Sequence, residues 1–186
     1  MSPVADPSDE QSFAELVREL QRPIGSFLAQ MTSDRALAAD LMQETFLVAW
    51  RERARVPREP AERRAWMYGV ARNRALNALR RRRRGSHALR RLLARSPPAP
   101  RQRPADEAIA MRDLLVRTLA PSERSLFVLR YVHDFDGAEL AALTGIGQDA
   151  LRKRLRRASR RLADAYEPTE QTPDREIPNV QADAPI

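Results

Sequence analysis

The sequence predicts an all-α chain: two small helical domains joined by a flexible, Pro- and Arg-rich linker, the second domain containing a helix-turn-helix. Three observations carry this expectation. Apolar residues recur at helical spacing through most of residues 12–162, aromatic residues make up only 5% of the chain, too few for a wide β-rich core, and a Pro-rich run at 97–104 separates two amphipathic stretches. The expected organisation of the 186 residues is a disordered N-terminus at 1–11, a first domain at 12–84, a linker at 85–105, a second domain at 106–166 and an acidic disordered tail at 167–186.

Ser12 followed by Glu15 reads as a capping box that opens the first helix. Phe13, Leu16, Val17, Leu20, Ile24, Phe27, Leu28 and Met31 then keep to one face. Pro23 falls inside this pattern, where its missing N–H and its ring predict a kink or a division. Thr32-Ser33-Asp34 is a second helix start, and Ala36 to Arg53 follows with Leu37, Leu41, Thr45 and Val48 on one side. Met42, Phe46 and Ala49 widen that side, leaving Asp40, Gln43, Glu44 and Arg51 as a mixed polar edge available to a partner.

Val56-Pro57-Arg58-Glu59-Pro60 cannot be helix interior, because each Pro also drives its predecessor toward extended geometry. Helix resumes near Ala61 and runs to Arg84, with Trp66, Val70, Leu76 and Leu79 as its expected buried line. Arg63, Arg64, Arg72, Arg74 and Arg80 through Arg84 surround that line. Cations interleaved with Trp66 and Tyr68 suit opened nucleic acid, since every base has a face to stack on and a phosphate to pair. Each ring also has a plainer reading, as core.

Past the linker, a helix over 106–119 uses Ile109, Leu114, Leu115 and Val116, and Pro121 sits at the first turn of the next, which buries Leu126 and Leu129. Leu140, Ala141 and Leu143 are at helical spacing, Gly145-Ile146-Gly147 interrupts, and Leu151, Leu155, Ala158 and Leu162 resume a one-sided stripe. Opposite that stripe stand Arg152, Lys153, Arg154, Arg156, Arg157, Arg160 and Arg161. A second helix this basic suits a DNA major groove, where Arg and Lys neutralise phosphates and reach the acceptor pair of guanine; the alternative is a solvated face.

The formal net charge of +8, nearly all of it from Arg, makes nucleic acid the expected partner. With no Cys, disulfides, thiolate catalysis and Cys-ligated zinc are excluded, and His87 and His133 are far apart in sequence, so no metal site or other cofactor is expected. No clustered acid, base and nucleophile suggests a catalytic site, and no enzyme is expected. The acidic, Pro-containing start MSPVADPSDEQS is unlike a signal peptide, and no run reaches about twenty apolar residues, so the expected setting is the cytoplasm without membrane insertion. Glu167, Glu170, Asp174 and Glu176 of the tail could cover the basic helix, against the alternative of a solvated tail.

With these residues placed, the chain resembles an extracytoplasmic-function (ECF) sigma factor of the sigma-70 family, and the likeness runs from Phe13 to Tyr166. DRALAADLMQETFLVAW is similar to the family's core-polymerase-binding signature, which implies that Asp40, Gln43 and Glu44 face polymerase. RAWMYGVARNRALNALRRRRR is similar to the helix that opens and reads the −10 element. By that match Asn73 helps to form the pocket for a flipped-out base, Trp66 and Tyr68 lie at aromatic positions, and Arg72 and Asn77 belong to the same −10 set. The stretch from Leu119 to Leu162 looks like the −35-reading region, which places Gln148, Arg152, Lys153, Arg156 and Arg157 toward duplex DNA. The resemblance implies core RNA polymerase and promoter DNA as partners, and a cognate anti-sigma factor. VPREPAE departs from the family's usual loop before the Trp, and Gly147-Gln148-Asp149-Ala150 from its usual recognition-helix start, so neither base preference carries over. Two other readings compete: a helix-turn-helix regulator acting without joining polymerase, which predicts a dimer on palindromic half-sites, and a non-specific basic nucleic-acid-binding protein, which predicts a steep salt slope.

Overall fold

The computed structural model describes residues 10–92 and 107–166. Helix α1, Glu10–Thr32, opens the chain and lays Leu16, Leu20, Ile24, Phe27, Leu28 and Met31 into the core. It begins before the predicted capping box, and it runs through Pro23 without division. Pro23 removes one backbone hydrogen bond, but the apolar stripe is buried on both sides of it and holds the axis together.

Ser33, at a φ of 51°, turns the chain, and Asp34 caps α2, Arg35–Arg51, by accepting from the Leu37 N–H at 3.0 Å. The second helix start is therefore where the sequence placed it. The α2 core line is Ala38, Leu41, Thr45 and Ala49, and Thr45 satisfies its buried hydroxyl on the Leu41 carbonyl at 2.7 Å. A single 3₁₀ turn at Arg53–Arg55 and a short loop lead to Pro60, the first residue of α3, Pro60–Leu92. That helix continues eight residues past Arg84, its expected end.

The buried arc of α3 also corrects the sequence. Met67, Tyr68, Ala71, Ala75 and Ala78 face the core, whereas Trp66, Val70, Leu76 and Leu79 flank it, half-buried. The small Ala residues let α3 lie close against α1 and α2, leaving the larger side chains on the flanks.

Helices α4, Glu107–Thr118, α5, Pro121–Tyr131, α6, Gly137–Thr144, and α7, Gln148–Ala165, form the second unit. Leu114, Leu115, Leu119, Leu126, Val128, Leu129, Phe135, Leu140, Leu151, Ala158 and Leu162 are its core. No strand occurs among the described residues. The two units are not held apart: α1 packs on α4 and α5, α3 packs on α5 and α6, and the two sets of buried side chains join into one apolar body. No described helix is long and apolar enough to cross a membrane. The expected extended Pro-rich run and the acidic tail lie outside the described residues.

Candidate nucleic-acid interface

The turn between α6 and α7 is built from three local devices. Asp136 Oδ1 accepts from the Glu139 N–H at 2.8 Å while Glu139 Oε2 accepts from the Asp136 N–H at 2.7 Å, a reciprocal capping box. Gly145 ends α6 in the left-handed region, at a φ of 67°, with its N–H on the Ala141 carbonyl at 2.8 Å. Gly147 then starts α7 from ordinary extended geometry, so only one of the two glycines needs its conformational freedom.

Leu151, Ala158 and Leu162 anchor α7 in the core, and the predicted reading set, Gln148, Arg152, Lys153, Arg156 and Arg157, is exposed on it. Its members are not equivalent. Arg152 is paired with Asp149 on the same helix, and this hydrogen bond and charge hold the Asp149 carboxyl below the usual carboxylate range. Arg157 donates from Nε to the Lys153 carbonyl at 3.3 Å, and Arg161 pairs with Glu123 of α5. An exposed cation strip on a helix seated by its apolar edge is complementary to duplex phosphate and to guanine acceptors.

On α3 the five residues predicted to act together divide between two faces. Steps of about 100° per residue put Trp66, Asn73 and Asn77 within about 40° of one another. Asn73 and Asn77 are exposed and Trp66 is half-buried. Tyr68 and Arg72 point to another side. Tyr68 is only 1% exposed, on the arc of the core, so its ring is not a free stacking platform in this arrangement. Burial pushes its hydroxyl up to about 12, opposed in part by Arg64. Arg72 donates from Nε to Ser125 Oγ at 3.0 Å, and its pKa is lowered by burial and by nearby Arg154.

What receives Tyr68 is the loop between α5 and α6, and this the sequence did not reveal. The Tyr68 hydroxyl and His133 Nδ1 share a hydrogen bond of 2.8 Å, and Arg64 donates to the His133 carbonyl. Phe27, Tyr68, His133 and Phe135 pack edge to face or tilted at 5.0 to 5.8 Å between ring centroids, and the Arg64 guanidinium covers the Phe135 ring at 4.2 Å. The loop is itself held: the Phe135 N–H donates to the Leu129 carbonyl at 3.0 Å, and Arg130 donates to the Phe135 carbonyl at 3.1 Å. His133 is 8% exposed, and burial first, then Arg64, lowers its pKa to about 4 against a smaller opposing effect of Asp134. Among the described residues, its Nε2 has no hydrogen-bond partner.

A separate face lies on α2. Asp40 and Gln43 are exposed, and half-buried Glu44 forms an ion pair with Arg74 of α3 at 3.7 Å. Leu47 and Trp50, 52% and 37% exposed, continue the same strip one and two turns on. Phe13 braces the Trp50 ring edge to face at 5.0 Å, and Arg53 lies over it at 4.8 Å. The sequence pointed to the polar half of this strip; the apolar half was signalled by large side chains outside the core period, and only burial separates them from core.

Comparison with known proteins gives the same division. The family model described as Sigma-70 region 2 matches residues 16–85, and that described as Sigma-70, region 4 matches residues 113–162. RNA polymerase sigma factor CarQ of Myxococcus xanthus is 32% identical over 158 residues, covering 83% of this chain and 89% of that protein. ECF RNA polymerase sigma factor SigL of Mycobacterium tuberculosis is 28% identical over 143 residues, covering 73% and 78%. The chain spans only 39% of the length of a further relative from Xanthomonas campestris pv. campestris, named "Probable RNA polymerase sigma factor RfaY", at 28% identity. Among solved structures, the sigma factor RpoE of Bartonella quintana, in complex with the anti-sigma factor NepR, has a TM-score of 0.68 at 21% identity, covering 83% of this chain and 96% of that one.

Proposed function

The chain belongs to the sigma-70 family, in its ECF branch, and from that premise we propose how its residues divide the work of directing promoter-specific transcription. Members of this family are initiation factors and not enzymes, so the free energy for opening DNA comes from binding. The region-2-like unit, residues 12–84, presents Asp40, Gln43 and Glu44 to core RNA polymerase, with Leu47 and Trp50 as the apolar part of the same contact. Trp66, Asn73 and Asn77 read the opened −10 element, where capture of an unstacked base offsets an unpairing cost of a few kcal/mol. Arg72 and Tyr68 join them only if the contacts to Ser125 and His133 are given up. The region-4-like unit, residues 106–166, reads duplex −35 DNA through Gln148, Lys153, Arg156 and Arg157, with Arg152 after release from Asp149. The linker expected at 85–105 loses its first eight residues to α3, and the stretch left between α3 and α4 sets the reach between them.

The observation that carries this reading is the basic strip of α7, projected by a left-handed glycine turn from a helix whose other edge is buried. An anti-sigma partner is proposed on the likeness to a fold solved in that company, and a cytoplasmic setting follows from the site of transcription. Reconstitution with sigma-free core polymerase and run-off transcription from a promoter library tests the proposal. Defined start sites that require this chain are expected; their absence would remove the function.

A further inference from the structure

On the face of α7 turned away from the core, one residue has the wrong sign for a polyanion. Steps of about 100° per residue place Asp149 within about 20° of the direction opposite Leu151, Ala158 and Leu162, with Lys153 and Arg156 within about 40° of it. The other acid of the helix, Asp164, comes about 22 Å farther along the axis. Asp149 also falls in the segment Gly147-Gln148-Asp149-Ala150, where the chain departs from its family's usual start of this helix. We infer that Asp149 is a specificity-determining residue, one that selects cytosine at the base pair next to the guanine taken by Arg152, a role that rests on α7 reading the −35 element.

Without DNA, Asp149 and Arg152 satisfy each other, and their side chains are 79% and 59% exposed, so the pair is weak and separable. Hydrogen bonding and charge from Arg152, with a smaller contribution from Lys153, keep the carboxyl ionised. On DNA that lacks the matching bases the pair stays closed, which cancels the charge of Arg152 and carries a carboxylate in among phosphates. The helix therefore holds such DNA less tightly than its cations alone would. When Arg152 turns to the O6 and N7 of a guanine, Asp149 is left as a bare acceptor, and only an exocyclic amino group answers it. Guanine and thymine present no donor in the major groove. Cytosine offers N4–H₂ with no acceptor beside it, whereas the N6–H₂ of adenine sits next to N7, which repels the second carboxylate oxygen. Asp149 and Arg152 are three residues apart, about 4.5 Å along the axis and close to the rise of about 3.4 Å per base pair, so the two contacts fall on neighbouring pairs.

Run-off transcription by the full chain with core polymerase, from a promoter library randomised over the −35 element, reads the preference at each position. The unaltered chain should favour cytosine beside a favoured guanine. Asp149→Ala should lower that cytosine preference about tenfold, leave the guanine preference in place, and raise affinity for a duplex without the element several-fold in fluorescence anisotropy at low salt. Asp149→Asn, whose amide donates as well as accepts, should move the preference at the same position toward adenine; a merely structural part in starting α7 would not produce that shift. A uniform rise in affinity with every base preference intact reduces Asp149 to a repelling charge and overturns the selection, as does a profile unchanged in both variants. If Lys153→Ala and Arg156→Ala together also leave −35 dependence intact, α7 is not the −35 reader and that reading falls too. If they weaken it while the Asp149 variants change nothing, the role of Asp149 alone is lost.

Discussion

His133 is the residue whose role depends most on its surroundings. Tyr68, Arg64 and Asp134 are the titratable groups that bear on it, and the Phe27 ring packs edge to face against it. Its pKa falls from an ordinary 6.5 to about 4, so the folded protein takes up the proton less readily than the unfolded chain. The stabilisation is therefore complete above pH 6.5, declines as pH falls through that value, and has gone below about 4. The loss is at most about 3 kcal/mol. Urea unfolding of the wild type and of His133→Phe between pH 7.5 and 4.5 should show the wild type losing stability faster; parallel loss would assign the effect to other groups. On the outer face of α3, Asn73→Ala should spare binding to core polymerase and reduce permanganate reactivity at the −10 element, and equal reactivity would remove Asn73 from the site. Asn73 was singled out by resemblance alone, from its place in the stretch similar to the family's −10-reading helix. The sequence could not identify His133, whose partner is 65 residues away and whose neighbours in the chain look like an ordinary loop. Tyr68 was ambiguous for a related reason: the helix phase was drawn through Trp66, Val70, Leu76 and Leu79, while the true core arc is carried by Ala71, Ala75 and Ala78, which give a weak apolar signal.

At the level of elements, local chemistry was more legible. The Asp34 cap of α2, the Pro121 start of α5 and the turn before α7 are all written within four residues of where they act. Extent was less so, because helix ends are decided by packing: α1 ignores Pro23 and α3 outruns Arg84. The two glycines of the turn make a controlled comparison. Neither has an atom within 4 Å of an added Cβ, so crowding is absent at both. Gly145→Ser forces a left-handed side chain and should cost about 1 kcal/mol in urea unfolding. Gly147→Ser places a good N-cap on α7 and should be neutral or slightly stabilising. Equal losses at the two positions would show that the turn is not what holds α7 in place.

For the whole molecule, the sequence supplied two helical units, their order and their charge, since each depends on composition and period within a short window. The way the units meet was not legible, as it depends on complementary surfaces distant in sequence. The charge makes its own prediction. Lys153→Ala and Arg156→Ala should each weaken duplex binding across all sequences and reduce the slope of log affinity against log salt by about 1 if they contact phosphate. Loss confined to one promoter base would instead mark direct readout. Either result would be measured on the full chain, where the Arg161–Glu123 pair keeps the end of α7 against α5.

Helix α3 carries, on one uninterrupted rod, the partner of Glu44, the outward Asn73 and Asn77, and the inward Tyr68 and Arg72. Inserting or deleting a single codon anywhere between Arg64 and Asn77 would rotate everything downstream by about 100° and misalign these duties together. Among diverging descendants of this gene, length should therefore be invariant in that window and drift freely between Leu92 and Glu107, a pattern of inherited gaps that needs no knowledge of the promoter.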